Sequence, residues 1–272
     1  MKIRYALMAV IATAAFAVPA GTASAITQGQ ADEGRHPWVG ALVSYDPETG
    51  EKYLICSGTL IDPNVFLTAA HCLLDEPSDL YVSFDSFVGA PDVGPDVTLY
   101  HGQAVGHPEF VDETAPGDTH DIAVVVLDKA VKGVKTATLP KSNTLSKLVR
   151  TGIAARTGWG VVGYGREGHT EEDGFFGGGS RRFAFSAFGS LQSFKLLLDQ
   201  KAPKGGTCRG DSGGPVFLGK TRIVVGIVSD GDAYCQEDSV NYRVDTRSAQ
   251  RFLAPFLDED ERDDNRNDRA DD

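Results

Sequence analysis

Short apolar runs closed by Gly, Pro, Asp or Asn recur along most of the chain. They are rich in Val, Ile and aromatic residues, and they predict strands at Val39–Tyr45, Leu54–Ile61, Leu80–Phe84, Ile122–Leu127, Arg156–Tyr164, Pro215–Leu218 and Arg222–Ser229. Helical spacing occurs only near the end, where Ala249, Phe252, Leu253 and Phe256 predict a helix over Thr246–Leu257. No segment repeats at a fixed period. Residues 166–182 (REGHTEEDGFFGGGSRR) are charged and glycine-rich, and predict a long mobile surface loop.

The two ends follow different patterns. Lys2 and Arg4 precede an uncharged apolar stretch, Ala6–Val18, and then the small-x-small triplet Ala23-Ser24-Ala25. This order predicts a secretory signal peptide over residues 1–25, hence an extracellular mature chain. The stretch is too short to span a bilayer and no later one is longer, so no stable membrane association is expected. Residues 258–272 (DEDERDDNRNDRADD) hold almost no apolar surface to offset their ordering entropy, and predict a disordered acidic tail. An EF-hand, with alternating ligands around a central Gly, does not fit the tail.

Composition narrows the class further. Of 272 residues, 41% are hydrophobic and 24% charged, as in ordinary globular domains, and 31 glycines favour a turn-rich β fold. Lys+Arg 26 against Asp+Glu 38 gives a net charge of −12, which argues against nucleic acid as a partner. The four cysteines, in an exported chain, predict two disulfides with three pairings open. Spacing favours Cys56–Cys72 and Cys208–Cys235, each worth about 3 kcal/mol in the chain-entropy picture. There is no Cys-x-x-Cys and the six histidines lack ligand spacing, so no metal or other cofactor is expected. Gly163-Tyr164-Gly165-Arg166-Glu167-Gly168 fits a dinucleotide fingerprint, but the helix that must follow it is absent.

Three separated segments carry chemistry. Leu67-Thr-Ala-Ala-His71-Cys72 ends a hydrophobic strand with a histidine, Asp121 opens another strand, and Gly210-Asp211-Ser212-Gly213-Gly214-Pro215 sets a serine among glycines. A serine hydroxyl needs a base to take its proton, and the base needs a partner that fixes its tautomer. Ser212, His71 and Asp121 fill those roles. The glycines free backbone N–H groups to bind a developing oxyanion. His120 adjoins Asp121 but belongs on the opposite face of an extended segment; His36, His101, His107 and His169 stand in polar or loop contexts.

In these motifs, and in their order His71, Asp121, Ser212, the chain resembles the trypsin/chymotrypsin-like serine proteases over about Ile26 to Leu257, and its sparse cysteines resemble a bacterial secreted member. The resemblance implies an all-β fold of two antiparallel Greek-key barrels, 26–139 and 140–257, with the active site between them and a C-terminal helix. It implies a monomeric serine endopeptidase acting on proteins or peptides. It places Cys56–Cys72 on the catalytic-histidine loop and Cys208–Cys235 at the substrate pocket. The family's Gly-Trp-Gly falls on Gly163-Tyr164-Gly165, with Gly158-Trp159-Gly160 as a competing match.

Further roles follow from the same resemblance. The oxyanion donors are the backbone N–H groups of Gly210 and Ser212. A free amine on Ile26, created by signal cleavage itself, pairs with Asp211. The specificity pocket comprises Gly206, Thr207, Gly231 and Ser239, an uncharged slot for apolar P1 residues. A one-residue shift of the loop after Cys235 would instead bring in Asp238, with Asp230, Asp232 and Glu237 nearby, and select basic P1. A binding protein on the same scaffold is a further reading, though such proteins usually lose a triad member. An α/β-hydrolase esterase does not fit, because its Gly-x-Ser-x-Gly elbow and chain order are absent.

Overall fold

The computed structural model describes residues 26–74, 79–112, 115–172 and 174–257; the leader and the acidic tail lie outside them. A short strand β1 (Gln30–Ala31) precedes the first barrel. That barrel comprises β2 (Val39–Tyr45), β3 (Lys52–Asp62), β4 (Val65–Thr68), β5 (Asp79–Ser83), β6 (Tyr100–Gly106) and β7 (Ala123–Leu127), closed in the order β2-β3-β4-β7-β6-β5. A helix α1 (Thr144–Arg150) lies in the linker. The second barrel takes β8 (Trp159–Gly163), then skips a hairpin of β9 (Gly168–Thr170) and β10 (Gly174–Phe176). It continues through β11 (Arg182–Leu191), β12 (Lys195–Asp199), β13 (Pro215–Leu218), β14 (Val224–Gly231) and β15 (Asp238–Arg243). Its order is β8-β11-β12-β15-β14-β13, and the β13–β8 pairing closes it. The chain crosses between barrels where Ala137 N–H donates to Leu60 O at 2.8 Å and Thr138 N–H to Arg222 O at 2.9 Å. The division drawn at 139/140 falls just beyond that crossing.

Several expected elements differ in extent, for identifiable reasons. The predicted Arg156–Tyr164 strand begins only at Trp159, because residues 154–156 form a 3-10 turn. The terminal helix α2 (Arg247–Leu253) starts where Thr246 Oγ1 accepts the Ala249 N–H at 3.2 Å. It gives way to a 3-10 turn at Ala254–Phe256, since Pro255 has no N–H to continue the α-helix. Residues 166–182 are not one irregular loop: they contain the β9–β10 hairpin, and Arg181, at their end, is 4% exposed.

One core cluster runs from the first barrel (Val39, Leu60, Phe66, Leu80, Val124) into the second (Val162, Phe217, Ile227, Tyr242) and under α2 (Ala249, Leu253). A second cluster fills the other barrel around Trp159, Val161, Leu196 and Leu198, and includes Ile26. Burial of this kind is worth roughly 1.5–3 kcal/mol for each large side chain.

A buried ion pair clasps the N-terminal segment to both barrels. Arg181 Nε donates to Asp32 Oδ2 at 2.9 Å. Its Nη1 donates to Phe84 O at 2.9 Å, to Val39 O at 3.2 Å and to the Tyr164 hydroxyl at 3.0 Å. His36 Nδ1 lies 2.5 Å from Asp32 Oδ1. Burial opposes the Asp32 charge, but the His36 and Arg181 hydrogen bonds outweigh it and hold the carboxyl below its ordinary range. Removing one member of such a pair leaves the other charge buried, at about 3–5 kcal/mol. Arg181→Met is therefore expected to lower the melting temperature by roughly 10 °C, and adding Asp32→Asn to restore part of that loss. A single variant that melts with the parent in a thermal scan would contradict the clasp.

Candidate active site

The end of β4 and the start of β7 lie side by side, with Thr68 paired to Ala123. His71 follows one and Asp121 precedes the other, so strand pairing sets their separation. His71 begins a 3-10 turn, His71–Leu73, and the Cys56–Cys72 disulfide fastens that turn to β3. Asp121 is wholly buried. Its Oδ1 accepts the His71 backbone N–H at 3.0 Å, and its Oδ2 lies 2.9 Å from His71 Nδ1. The carboxylate accepts, so Nδ1 carries the proton and Nε2 keeps its lone pair. Ser229 at the end of β14 donates to the same Oδ2 at 2.5 Å. The sequence reading missed Ser229, although it stands in the Ser229-Asp230-Gly231 segment flagged for the pocket.

The Ser212 loop is seated by Ser57 against the strand that leads into His71. Ser57 follows Cys56, and its N–H donates to Ser212 O at 2.8 Å while its hydroxyl donates to Gly210 O at 2.9 Å. Gly213 takes φ +77°, and a Cβ there would meet Thr68 Oγ1 at 2.1 Å and Ala69 N at 3.0 Å. Only glycine allows the serine loop to press against the chain leading into His71. The carbonyls of Arg209 and Asp211 accept N–H groups from Arg166 at 2.6 Å and Gly214 at 2.8 Å. Each belongs to the same peptide unit as the N–H of Gly210 or Ser212, so those N–H groups are turned the other way. Among the described residues neither N–H has an acceptor. Tyr164 N–H donates to Ser57 Oγ at 3.0 Å and Gly165 N–H to Asp211 Oδ1 at 2.8 Å. Gly163-Tyr164-Gly165 is thus the glycine-aromatic-glycine segment at the site; Trp159 lies in the second barrel's core.

Beside this loop stand the expected pocket residues. Gly231 pairs with Ser239 across β14 and β15. Thr207 Oγ1 lies 2.9 Å from Ser239 Oγ, which lies 3.2 Å from Asn241 Oδ1. The Asn241 amide donates to the carbonyls of Leu196 and Ser239, at 3.0 and 3.2 Å. Its oxygen must therefore face Ser239, and the hydroxyl protons run from Thr207 to Ser239 to Asn241. Asp238, one residue earlier on an alternating strand, lies on the other face. Asp232 is spent in its own loop, where its carboxylate accepts the N–H groups of Tyr234, Gln236, Glu237 and Asp238. Burial opposes that charge, but these bonds hold its carboxyl below the ordinary range. Asp230 is exposed and accepts the N–H of Gly231. Gln200, which the sequence reading did not single out, brackets Thr207 with bonds to its N–H (2.8 Å) and carbonyl (3.2 Å). A Cβ on Gly206 would lie 1.9 Å from Gln200 Oε1.

Ile26 is fully buried, and Thr27 exchanges backbone hydrogen bonds with Gly206 at 2.9 and 3.0 Å. Asp211 is also fully buried; its oxygens accept the N–H groups of Cys208 and Gly165, each at 2.8 Å. Burial pushes its carboxyl up to about 7, against the pull of those two bonds. No hydrogen bond joins Ile26 to Asp211 among the described residues. The Cys208–Cys235 disulfide ties the serine loop to the turn between β14 and β15.

Comparison with known proteins agrees with this geometry. The trypsin family model matches residues 26–253. Trypsin of Saccharopolyspora erythraea is 31% identical over 206 residues, covering 72% of this chain and 82% of that protein. Human granzyme M is 27% identical over 197 residues, covering 67% and 71%. A CLIP domain-containing serine protease of Anopheles gambiae, B10, is 28% identical over 226 residues, and this chain spans 59% of its length. The solved structure of HL collagenase superposes with a TM-score of 0.63 at 20% identity, over 85% of this chain and 98% of that one, and shows the same fold. The chain belongs to the trypsin family and is a serine endopeptidase.

Proposed function

We propose that Ser212 is the nucleophile, His71 the general base and Asp121 the group that orients it. The observation that carries this reading is the His71–Asp121–Ser229 hydrogen-bonded group, with the Ser212 loop packed by Ser57 and Gly213 against Thr68 and Ala69, the chain that leads into His71. His71 Nε2 takes the Ser212 hydroxyl proton as Oγ attacks the scissile carbonyl carbon. The resulting oxyanion receives the Gly210 and Ser212 N–H groups, each such donor being worth about 3 kcal/mol in the transition state. His71 then passes its proton to the departing amine, leaving an acyl-enzyme. Water, deprotonated by His71, releases the acid and restores Ser212. Asp121 stays ionised and stabilises the imidazolium formed between the steps.

The favoured substrate is a peptide with an apolar P1 side chain. Gly206, Thr207, Gly231 and Ser239 bring no charge, and the hydroxyls of Thr207 and Ser239 satisfy each other. A basic P1 group would need a carboxylate there, and Asp238 lies on the opposite face of its strand. The chain acts outside the cell, delivered by the signal peptide over residues 1–25. Cleavage after Ala25 frees the Ile26 amine, which enters beside Asp211 and supplies the positive charge that this buried carboxyl lacks.

Three outcomes are expected. Profiling on a peptide library shows cleavage after Phe, Tyr, Leu or Met, abolished by Ser212→Ala; cleavage after Arg or Lys would overturn the pocket assignment. Gly206→Ala, whose Cβ would lie 1.9 Å from Gln200 Oε1 and 2.3 Å from Gln200 Cβ, loses about 1–3 kcal/mol in denaturant unfolding, and Gln200→Ala in the same chain, which keeps the Cβ contact, recovers only part of it. The third concerns Asp211. Its folded pKa, about 7, lies above the ordinary 3.8, so its stabilising contribution is complete below that lower value and is lost as pH rises through about 7. A chain extended ahead of Ile26 therefore loses melting temperature between pH 4 and 7. A chain beginning at Ile26 loses less, and Asp211→Asn flattens the extended chain's profile. Equal profiles for the two N-termini, or an active enzyme whose N-terminal sequence does not begin at Ile26, would refute the pairing.

A further inference from the structure

Two histidines outside the catalytic group stack on one another: the rings of His107 and His120 have centroids 4.4 Å apart and planes 21° apart. His107 follows β6, and His120 immediately precedes Asp121, with φ +51°. The sequence reading expected no metal, because there is no Cys-x-x-Cys and the six histidines show no ligand spacing. In the fold, one ligand atom from each of His107, Glu109 and His120 lies within 4.8 Å of the others.

Hydrogen bonds decide where the lone pairs are. His107 Nδ1 accepts the Glu109 backbone N–H at 3.1 Å, so this nitrogen is the unprotonated one, and a metal bound there takes its lone pair in exchange for that hydrogen bond. His120 Nδ1 lies 3.0 Å from Ser248 Oγ and 3.6 Å from Asp118 Oδ1. The acidic oxygen favours a proton on Nδ1, which leaves the lone pair on Nε2. That Nε2 is 3.9 Å from Glu109 Oε2. Asp118 is itself fixed, accepting the His120 N–H at 3.1 Å and the Tyr242 hydroxyl at 3.0 Å. A carboxylate behind one imidazole and another in front of it is the pattern that orients metal-binding histidines.

We propose that His107, Glu109 and His120 form a binding site for a borderline divalent cation, Zn²⁺ above all. Two imidazole nitrogens and one carboxylate suit Zn²⁺, whereas Ca²⁺ and Mg²⁺ need mostly oxygen donors. Neighbouring ligands on tetrahedral zinc stand about 3.4 Å apart, given bonds of ~2.1 Å. Closure therefore turns the rings out of their stack and swings in the Glu109 side chain, which is 75% exposed and unrestrained by packing. Water fills the fourth position. The site communicates with the active site through one peptide unit: His120 is bonded to Asp121, and its carbonyl accepts the Ile122 N–H at 2.8 Å. Moving His120 shifts the carboxylate that holds His71, so bound zinc lowers peptidase activity; this last step rests on the Asp121 role proposed above.

The test is calorimetric titration of untagged, chelator-stripped protein with ZnCl₂, with MgCl₂ and CaCl₂ as controls. One equivalent of zinc binds, and the controls give no saturable heat. Glu109→Gln, an exposed change, and His120→Asn, which tolerates the left-handed backbone, each weaken binding roughly tenfold or more while melting as folded proteins. Folded parent protein that binds no zinc, or zinc affinity unchanged in both variants, overturns the site. Peptidase activity falls several-fold when the parent binds zinc, and falls less at the same zinc concentration in Glu109→Gln. Activity indifferent to bound zinc, or equal inhibition of parent and variant, overturns the link to Asp121 without touching the catalytic assignment, which the Ser212→Ala control tests separately.

Discussion

A site divided between two barrels depends on a seam that does not slip, and Ser57 holds it. It lies at the disulfide-bonded part of β3, and all three of its polar groups are engaged. Its N–H and hydroxyl donate across the seam to the carbonyls of Ser212 and Gly210, and its carbonyl accepts the Thr68 hydroxyl at 2.9 Å on its own side. The same hydroxyl accepts the Tyr164 N–H. One small residue therefore fixes the nucleophile loop, the 163–165 segment and the strand leading to His71 relative to each other. Net hydrogen-bond energies of about 1 kcal/mol each make this a modest contribution to stability. Its weight is geometric, since a shift of about 1 Å at a reacting centre can cost a hundredfold in rate.

The Asp32–Arg181 clasp acts on the same seam from its far side. Arg181 immediately precedes β11 of the second barrel, yet it donates to the carbonyls of Val39, which opens β2, and Phe84, which follows β5. Asp32 belongs to the segment that leads back through Thr27 to Gly206 and the pocket. The position of Ile26 is thus fixed at two points, one on the pocket base and one on the clasp. A buried ion pair is weak evidence for net stability against an apolar alternative, but it is demanding about register, and register is what this segment needs.

The disulfide partners and the His71, Asp121 and Ser212 segments were readable because each sits in a short local motif, and the β4–β7 pairing brings His71 and Asp121 together. Continuous Val, Ile and Leu runs such as Ala123–Leu127 were equally plain. β6 (Tyr100–Gly106) and β15 (Asp238–Arg243) were not, since their sequences are polar and their strand state comes from neighbours in a closed barrel. β4 (Val65–Thr68) is only four residues long and follows the Pro63-Asn64 turn closely. Ser229, Ser57 and Gln200 carry no motif of their own. Their roles are contacts across long sequence separations, and a serine or glutamine in isolation reads as ordinary polar sequence. His107 and His120 were hidden for the same reason, compounded by the left-handed backbone at His120, which breaks the simple alternation of faces assumed for an extended segment.

Three buried aspartates meet the same desolvation penalty in different ways, and the difference explains which of them can act as a switch. Asp32 has a guanidinium and an imidazole, and stays charged. Asp121 has the His71 backbone and ring and the Ser229 hydroxyl, and in the proposed mechanism the ring gains a proton. Asp211 has two backbone N–H groups and, among the described residues, no cation; burial there outweighs the two bonds and lifts the carboxyl to about 7. A group poised near neutrality responds most to an added charge, and Asp211 lies between Gly210 and Ser212. Neutralising it with a proton or with an amine would favour different loop conformations, since a protonated carboxyl turns one of its own oxygens into an O–H donor whereas the amine leaves both oxygens accepting and donates from outside. The two peptide units that carry the proposed oxyanion donors flank Asp211, so under the proposed pairing their orientation follows whichever partner Asp211 finds, and the Ile26 amine would act on the oxyanion site through it.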